Sequence, residues 1–205
     1  MRRVIALIVA TAVIAVACGS GSATPTPAPT PIPTPSPTAT PTPTPTPVPT
    51  PTAVDAGWIT FAPAGDGFSS EFPGTPKETD QTPTTKAGPA PTYVWIYEQS
   101  LDLAYAMMLV KYPSGSMTGI NTSVIYQAGI QGGLSNVAGG QLTDTGSTTI
   151  NGHAAATYTI TGTSVNMKGI VVLVGDDLYN AYVGYAPTTP IAEVDTFLAD
   201  FQLSA

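Results

Sequence analysis

Apolar positions fall in three regimes along the chain. Residues 4–16 are an apolar run interrupted only by Thr11, residues 24–52 alternate Thr with Pro, and from Val54 onward apolar residues recur at strand and helix spacings. Within this last stretch, 58–61 and 68–72 read as short strands around a Gly65-Asp66-Gly67 turn, with Phe68, Ser70 and Phe72 on one face. Residues 73–91 are polar and proline-bearing, which predicts a loop. A strand follows over 93–99. Residues 103–112 are apolar on both alternating sets, as expected of a central strand covered on both sides.

The second half predicts a helix over 121–136, capped by Asn121 or Thr122, with Val124, Ile125, Ala128 and Leu134 near helical spacing and Gly129, Gly132 and Gly133 weakening it. Strands over 141–150 and 154–161 flank Asn151-Gly152, the preferred pair for a type I′ hairpin turn. A further hairpin spans 165–174 and 178–185 around Gly175-Asp176-Asp177. A closing helix is expected with Thr189 as cap, Pro190 in its first position, and Ile191, Val194, Phe197, Leu198 and Phe201 as its apolar stripe. This order predicts an α+β domain, an antiparallel sheet packed by helices.

The regimes before Val54 predict an address. Arg2 and Arg3 precede an apolar run of about 13 residues, too short for a ~30 Å hydrocarbon core but suited to a signal-peptide h-region. The run ends in Ala15-Val16-Ala17-Cys18-Gly19, which resembles the lipobox of bacterial lipoproteins, with Ala15 where Leu is commonest. That resemblance implies a signal peptide over 1–17 and a lipid on Cys18, placing the protein at the extracytoplasmic face of a cell membrane. Cys18 is the single cysteine, so an intramolecular disulfide is impossible. The plainer alternative is an ordinary secretory leader followed by a chance cysteine. Arg2-Arg3 sits too near the start for a twin-arginine signal. Residues 18–53 then form a disordered or polyproline II stalk, since proline fixes φ and disfavours helix in the residue before it. At ~3.1 Å per residue, the Thr-Pro stretch reaches about 90 Å. The globular domain is 54–205.

Charge narrows the partners. The formal net charge is −7. Removing the leader takes both arginines and leaves 4 lysines against 13 acids, a net of 4 − 13 = −9. A domain without arginine lacks the side chain best suited to bidentate phosphate contacts, which argues against nucleic acid and anionic headgroups.

Candidate chemistry is sparse. Asp144-Thr145-Gly146-Ser147 matches the aspartic-protease tetrapeptide, but that mechanism needs two such carboxylates, hence a dimer, and the usual apolar pair before the Asp is replaced by Leu142-Thr143. A turn or strand end leading into a hairpin is the simpler reading. His153, the single histidine, could act as a base, yet no Gly-x-Ser-x-Gly elbow accompanies it, and an exposed turn residue is expected. One histidine and one cysteine cannot make a usual zinc site. Asp176-Asp177 could contribute to a calcium site but lacks spaced acids, so a solvated turn is expected. Trp95, Tyr179, Tyr182 and Tyr185 could form an aromatic platform. Tyr179 and Tyr185 share a strand face that Tyr182 does not, and at least one set is expected in the core. The Gly129–Gly133 segment has neither the spacing nor the lysine of a phosphate loop. No catalytic residue, metal site or cofactor is therefore assigned.

Trp58 with Phe61, Gly67-Phe68, Phe72-Pro73-Gly74-Thr75-Pro76, Ile150-Asn151-Gly152, Leu178-Tyr179 and the closing Phe197…Phe201-Gln202-Leu203 together resemble the PsbP-like fold, named for an extrinsic subunit of photosystem II. They resemble in particular the exported bacterial lipoproteins that carry such a domain. These are packing and turn residues. The resemblance implies an α/β/α sandwich serving mainly as a protein-binding or assembly module, and supplies no catalytic residue. The expected role is a membrane-anchored, non-catalytic domain that binds a protein or envelope component. The alternatives are a small-ligand sensor or carrier, needing a closed apolar cavity, and an exported hydrolase centred on Asp144 or His153.

Overall fold

A computed structural model of the chain describes residues 57–204, with the side chain of Ile191 excepted. The leader, Cys18, the stalk and the first residues assigned to the domain lie outside the described residues. Seven strands form one antiparallel sheet in the order β3-β6-β7-β11-β10-β9-β8, where β3 is Lys77–Gln81, β6 Thr92–Ser100, β7 Leu103–Lys111, β8 Gln141–Ile150, β9 His153–Thr161, β10 Asn166–Val174 and β11 Asp177–Tyr185. A smaller sheet has the order β1-β2-β12, from Ile59–Phe61, Phe68–Phe72 and Gln202–Leu203. A short hairpin, β4 (Thr84–Thr85) with β5 (Gly88–Pro89), and two helices, α1 (Thr122–Asn136) and α2 (Ile191–Ala199), complete the domain.

Strand β7 explains the layering. Leu103, Tyr105, Met107 and Leu109 point into one core with Phe68, Phe72, Val194, Phe197 and Phe201. Ala106 and Val110 point into the other, with Ile125, Tyr126 and Ile130 of α1. An apolar set on each face is what a strand buried between two layers requires. The expected helix-flanked sheet thus holds in part. Helix α1 covers one face, while the other is shared between α2 and the small sheet. Aromatic contacts fill that second layer: Phe72 meets Phe197 edge-on at 5.1 Å, Phe68 lies 5.2 Å from Trp95, and Trp58 meets Tyr105 at 5.5 Å.

Several expectations need correction. Residues 73–91 are not a plain loop, since β3 pairs with β6 from Lys77↔Ile96 to Gln81↔Thr92. Its sequence is polar at every position because it is an edge strand exposed on both faces. Helix α2 is capped by Pro190 in an extended conformation with no side-chain cap bond, so Thr189 is not the cap and Pro190 precedes the first turn. The Thr189 N–H instead donates to the Ala186 carbonyl in a turn. Val124 is exposed, not part of the buried stripe of α1, whose anchors are Ile125, Tyr126 and Ile130.

Gly133 of α1 has a packing reason. A Cβ at Gly133 would lie 3.2 Å from Met167 Sδ and 3.4 Å from Ile160 Cδ1, so the bare backbone lets the helix settle closely on β9 and β10. At the hairpin turn Asn151 has φ +47° and Gly152 φ +85°, the pair of positive values a type I′ turn demands. The Asn151 side chain also accepts a bond from the Leu203 N–H at 3.0 Å, tying the turn to β12.

Candidate binding side formed by α1, β8 and β9

Helix α1 begins where Asn121 Oδ1 accepts bonds from the Ser123 N–H (3.0 Å) and hydroxyl (2.8 Å), satisfying a backbone donor the first turn would otherwise leave open. One turn on, the Tyr126 hydroxyl donates to the Ala154 carbonyl at 2.6 Å and receives the Leu173 N–H at 3.4 Å. The β9–β10 register ends at Ala155↔Val172. The hydroxyl therefore occupies the place where the next ladder bond would join Leu173 to Ala154. This fixes α1 to both strands and parts them at the end remote from the turn that joins them.

Beyond α1 the sheet continues into β8 without a layer over it. From Gln141 to Thr149 every β8 residue is exposed, and Ile150 alone is partly covered. Between α1 and the β8–β9 hairpin runs an open groove of about 310 Å³, lined by Tyr126, Gln127, Ile130, Leu142, Thr145 and Ala156 among others. Its lining mixes apolar faces with amides and hydroxyls. Leu142, 40% exposed, stands at its edge. A register shift between Leu142 and Asp144 leaves Thr143 as an extra residue, whose hydroxyl lies 3.3 Å from the Thr159 carbonyl and 3.1 Å from the Thr161 hydroxyl.

The structure disperses the residues singled out for chemistry. Asp144, Thr145, Gly146 and Ser147 lie in the middle of β8, not in a turn, paired with Thr159, Tyr158, Thr157 and Ala156. Asp144 is exposed. His153 is exposed at the start of β9, as a turn-flanking histidine was expected to be, and pairs with Ile150. Six strand positions separate residues 144 and 150, about 20 Å at ~3.4 Å per residue, so the acid and the imidazole are not brought together. Trp95, Tyr179, Tyr182 and Tyr185 are all buried and divide between the two cores, so none offers an aromatic platform. Burial pushes the Tyr179 and Tyr182 hydroxyls up to about 12. Gly129 and Gly133 lie in α1, where Gly133 allows close packing on Met167 and Ile160. Cys18, the expected lipid site, lies outside the described residues.

Asp176 is more than a solvated turn residue. Its carboxylate accepts the Met117 N–H at 2.9 Å and the Gly115 N–H at 2.7 Å, and these two donors hold it below the usual carboxylate range. The loop before α1 is thereby fastened to the β10–β11 turn. Asp177 belongs to β11, and partial burial raises its pKa. Nearby, Lys111 bonds Asp66 at 2.8 Å and lies 5.7 Å from the Tyr93 ring centre. Among the described residues, no group of three or more His, Cys, Asp or Glu side chains could hold a metal ion. No helix there is long and apolar enough to cross a membrane.

One signal visible in the sequence marks this side of the domain. From Pro113 to Met167, which includes α1, β8 and β9, Asp144 is the single charged residue. The lysines and the other acids lie before or after that stretch. The groove itself could not be read from sequence, because it depends on how far α1 stops short of β8.

Comparison with known proteins agrees on architecture. No family model matches the chain, and no curated protein matches it. Among solved structures, cyanobacterial PsbP (CyanoP) from Synechocystis sp. PCC 6803 is similar over 74% of this chain and 95% of its own, with a TM-score of 0.50 and 13% identity. A protein of unknown function from Pseudomonas aeruginosa aligns over 64% of this chain and 85% of its own at a TM-score of 0.34 and 9% identity. At such identity the likeness to CyanoP is one of fold alone, and the fold is PsbP-like.

Proposed function

We propose that this protein is an exported lipoprotein whose domain binds a protein or another envelope component without transforming it. In this reading Cys18 carries the lipid, the leader 1–17 is removed, and the stalk over 18–53 holds the domain away from the extracytoplasmic face of the cell membrane. One observation carries the binding role. Strand β8 is exposed on both faces, has a neighbour on one edge alone among the described residues, and borders a groove in a nearly uncharged side. Exposed strand edges recognise extended segments through main-chain bonds, with adjoining pockets selecting side chains. The PsbP-like architecture supports the same reading by analogy. The small-ligand alternative asks for an enclosed cavity, whereas this groove is open to solvent.

The test has two parts. Mass spectrometry of the chain from its native cells is expected to find acylated Cys18 at the N-terminus. A photo-crosslinking residue at Thr145 is expected to trap a protein of the envelope, while one at Thr79 on the opposite sheet edge traps none. An unmodified N-terminus would overturn the anchor. Equal trapping from both edges would overturn the assignment of the binding side.

A further inference from the structure

We infer that the component docked on this side is a second copy of the same chain, with β8 pairing antiparallel to β8 of that copy across a two-fold axis. The inference rests on the reading just given, that the α1–β8–β9 side is the docking side. Contrast between the two edges of the main sheet comes first. Strand β3 is five residues long, carries Lys77, Glu78 and Asp80, and lies between Pro76 and Pro83. Short length, charge and flanking proline are the means by which proteins protect an edge from pairing. Strand β8 is ten residues long, has no proline, and carries Asp144 as its single charge. One edge is guarded and the other is open.

Charge then selects the occupant. A strongly acidic domain meets its own charge when it approaches a copy of itself. The side formed by α1, β8 and β9 is the exception, because residues 113–167 contribute one carboxylate and no lysine. A nearly neutral side on an acidic body suits an identical body better than a cationic partner, which would find the Asp144 carboxylate alone to pair with.

Register completes the argument. A two-fold axis perpendicular to the sheet pairs residues whose numbers sum to an even value, because facing residues must share a face. With the axis at Gly146, Thr145 faces Ser147 of the second copy and Asp144 faces Thr148. Hydroxyls meet hydroxyls and no carboxylate meets another. The pairing joins the two seven-stranded sheets into one continuous sheet and gives a closed, isologous dimer.

Sedimentation equilibrium of the full chain in density-matched detergent, under reducing conditions so that Cys18 cannot link copies, is expected to show a dimer. Thr148→Asp sets a second carboxylate opposite Asp144 on both sides of the axis and weakens the dimer about tenfold, while Thr148→Lys strengthens it about tenfold. Thr79→Asp on β3 leaves it unchanged, and circular dichroism checks that all variants remain folded. A monomer at every concentration overturns the inference, as does a dimer indifferent to both Thr148 substitutions. The Thr145 crosslink separates the two readings. A different envelope protein trapped by a monomeric chain overturns the self-pairing and leaves the docking side in place. A monomer that traps nothing overturns both.

Discussion

Tyr158→Phe removes one oxygen from the buried polar pair beneath α1 and keeps the ring that covers Gly169. The Tyr158 hydroxyl donates to Asn180 Oδ1 at 3.0 Å, with the two residues 1% and 3% exposed. Its other neighbour is Met167 Sδ at 3.9 Å, a weak acceptor. Without the hydroxyl, Oδ1 loses that donor in a place water does not reach, a cost of about 1–3 kcal/mol. Asn180→Ala reverses the loss and opens a cavity as well, costing about 2–4 kcal/mol. The double variant should fall short of the sum by about 1–2 kcal/mol, because neither partner is then left stranded. For a domain of about 150 residues each kcal/mol moves the melting temperature by ~2–4 °C. Urea unfolding of the full chain followed by tryptophan emission is the assay, since buried Trp95 changes environment when the sheet opens. Tyr158→Phe within about 0.5 kcal/mol of the parent, or a strictly additive double variant, would refute the reasoning.

Other expectations follow from the same geometry. Burial raises the hydroxyls of Tyr105, Tyr158, Tyr179 and Tyr182 above the ordinary 10. The folded chain therefore keeps protons that the unfolded chain releases, and their contribution is complete below about pH 10 and lost as pH rises from there through about 12. Tyrosinate absorbance should appear in the same cooperative step as loss of circular dichroism, and gradual titration of a folded domain would contradict this. Asn151→Gly keeps the positive φ but loses the bond to Leu203, costing about 1 kcal/mol, whereas Asn151→Ala adds backbone strain and costs about 1–2 kcal/mol more in urea unfolding. Asp176→Ala should speed amide exchange at Gly115 and Met117. In the parent, lowering the pH through the depressed pKa of Asp176 should do the same. Lys168→Ala breaks the 2.6 Å pair with Asp195 but should cost under about 1 kcal/mol, because the pair is exposed.

What the sequence revealed depended on whether one face or two were buried. Strand β7 was legible because both of its alternating sets are apolar, and the β8–β9 hairpin because Asn151-Gly152 names its turn. Strand β3 was not, because with both faces in solvent it has no alternation, and pairing with β6 alone makes it a strand. Strand β12 was missed for its brevity, and the tetrapeptide at Asp144, inside the strand expected over 141–150, was left between a turn and a strand end because its small polar residues favour turns as readily as an exposed strand. Helix α1 shows the opposite case, with Gly133 lowering its propensity yet serving its close approach to Met167 and Ile160. Asp176 looked like a turn acid because its partners, Gly115 and Met117, lie far away in sequence. The binding side depended on the spacing of three elements, although its want of charge was written plainly between Pro113 and Met167.

Under the proposed N-terminal anchor, the small sheet acquires a mechanical meaning. Strands β1 and β12 both pair with β2, so the two ends of the described chain converge on one strand. Tension entering at Gly57 loads the three residue pairs of β1 first and peels them singly from β2. The large sheet, whose strands all lie between those ends, is spared until that fastening gives way. Pulling on such a tether should detach β1 at low force and leave the seven-stranded sheet folded.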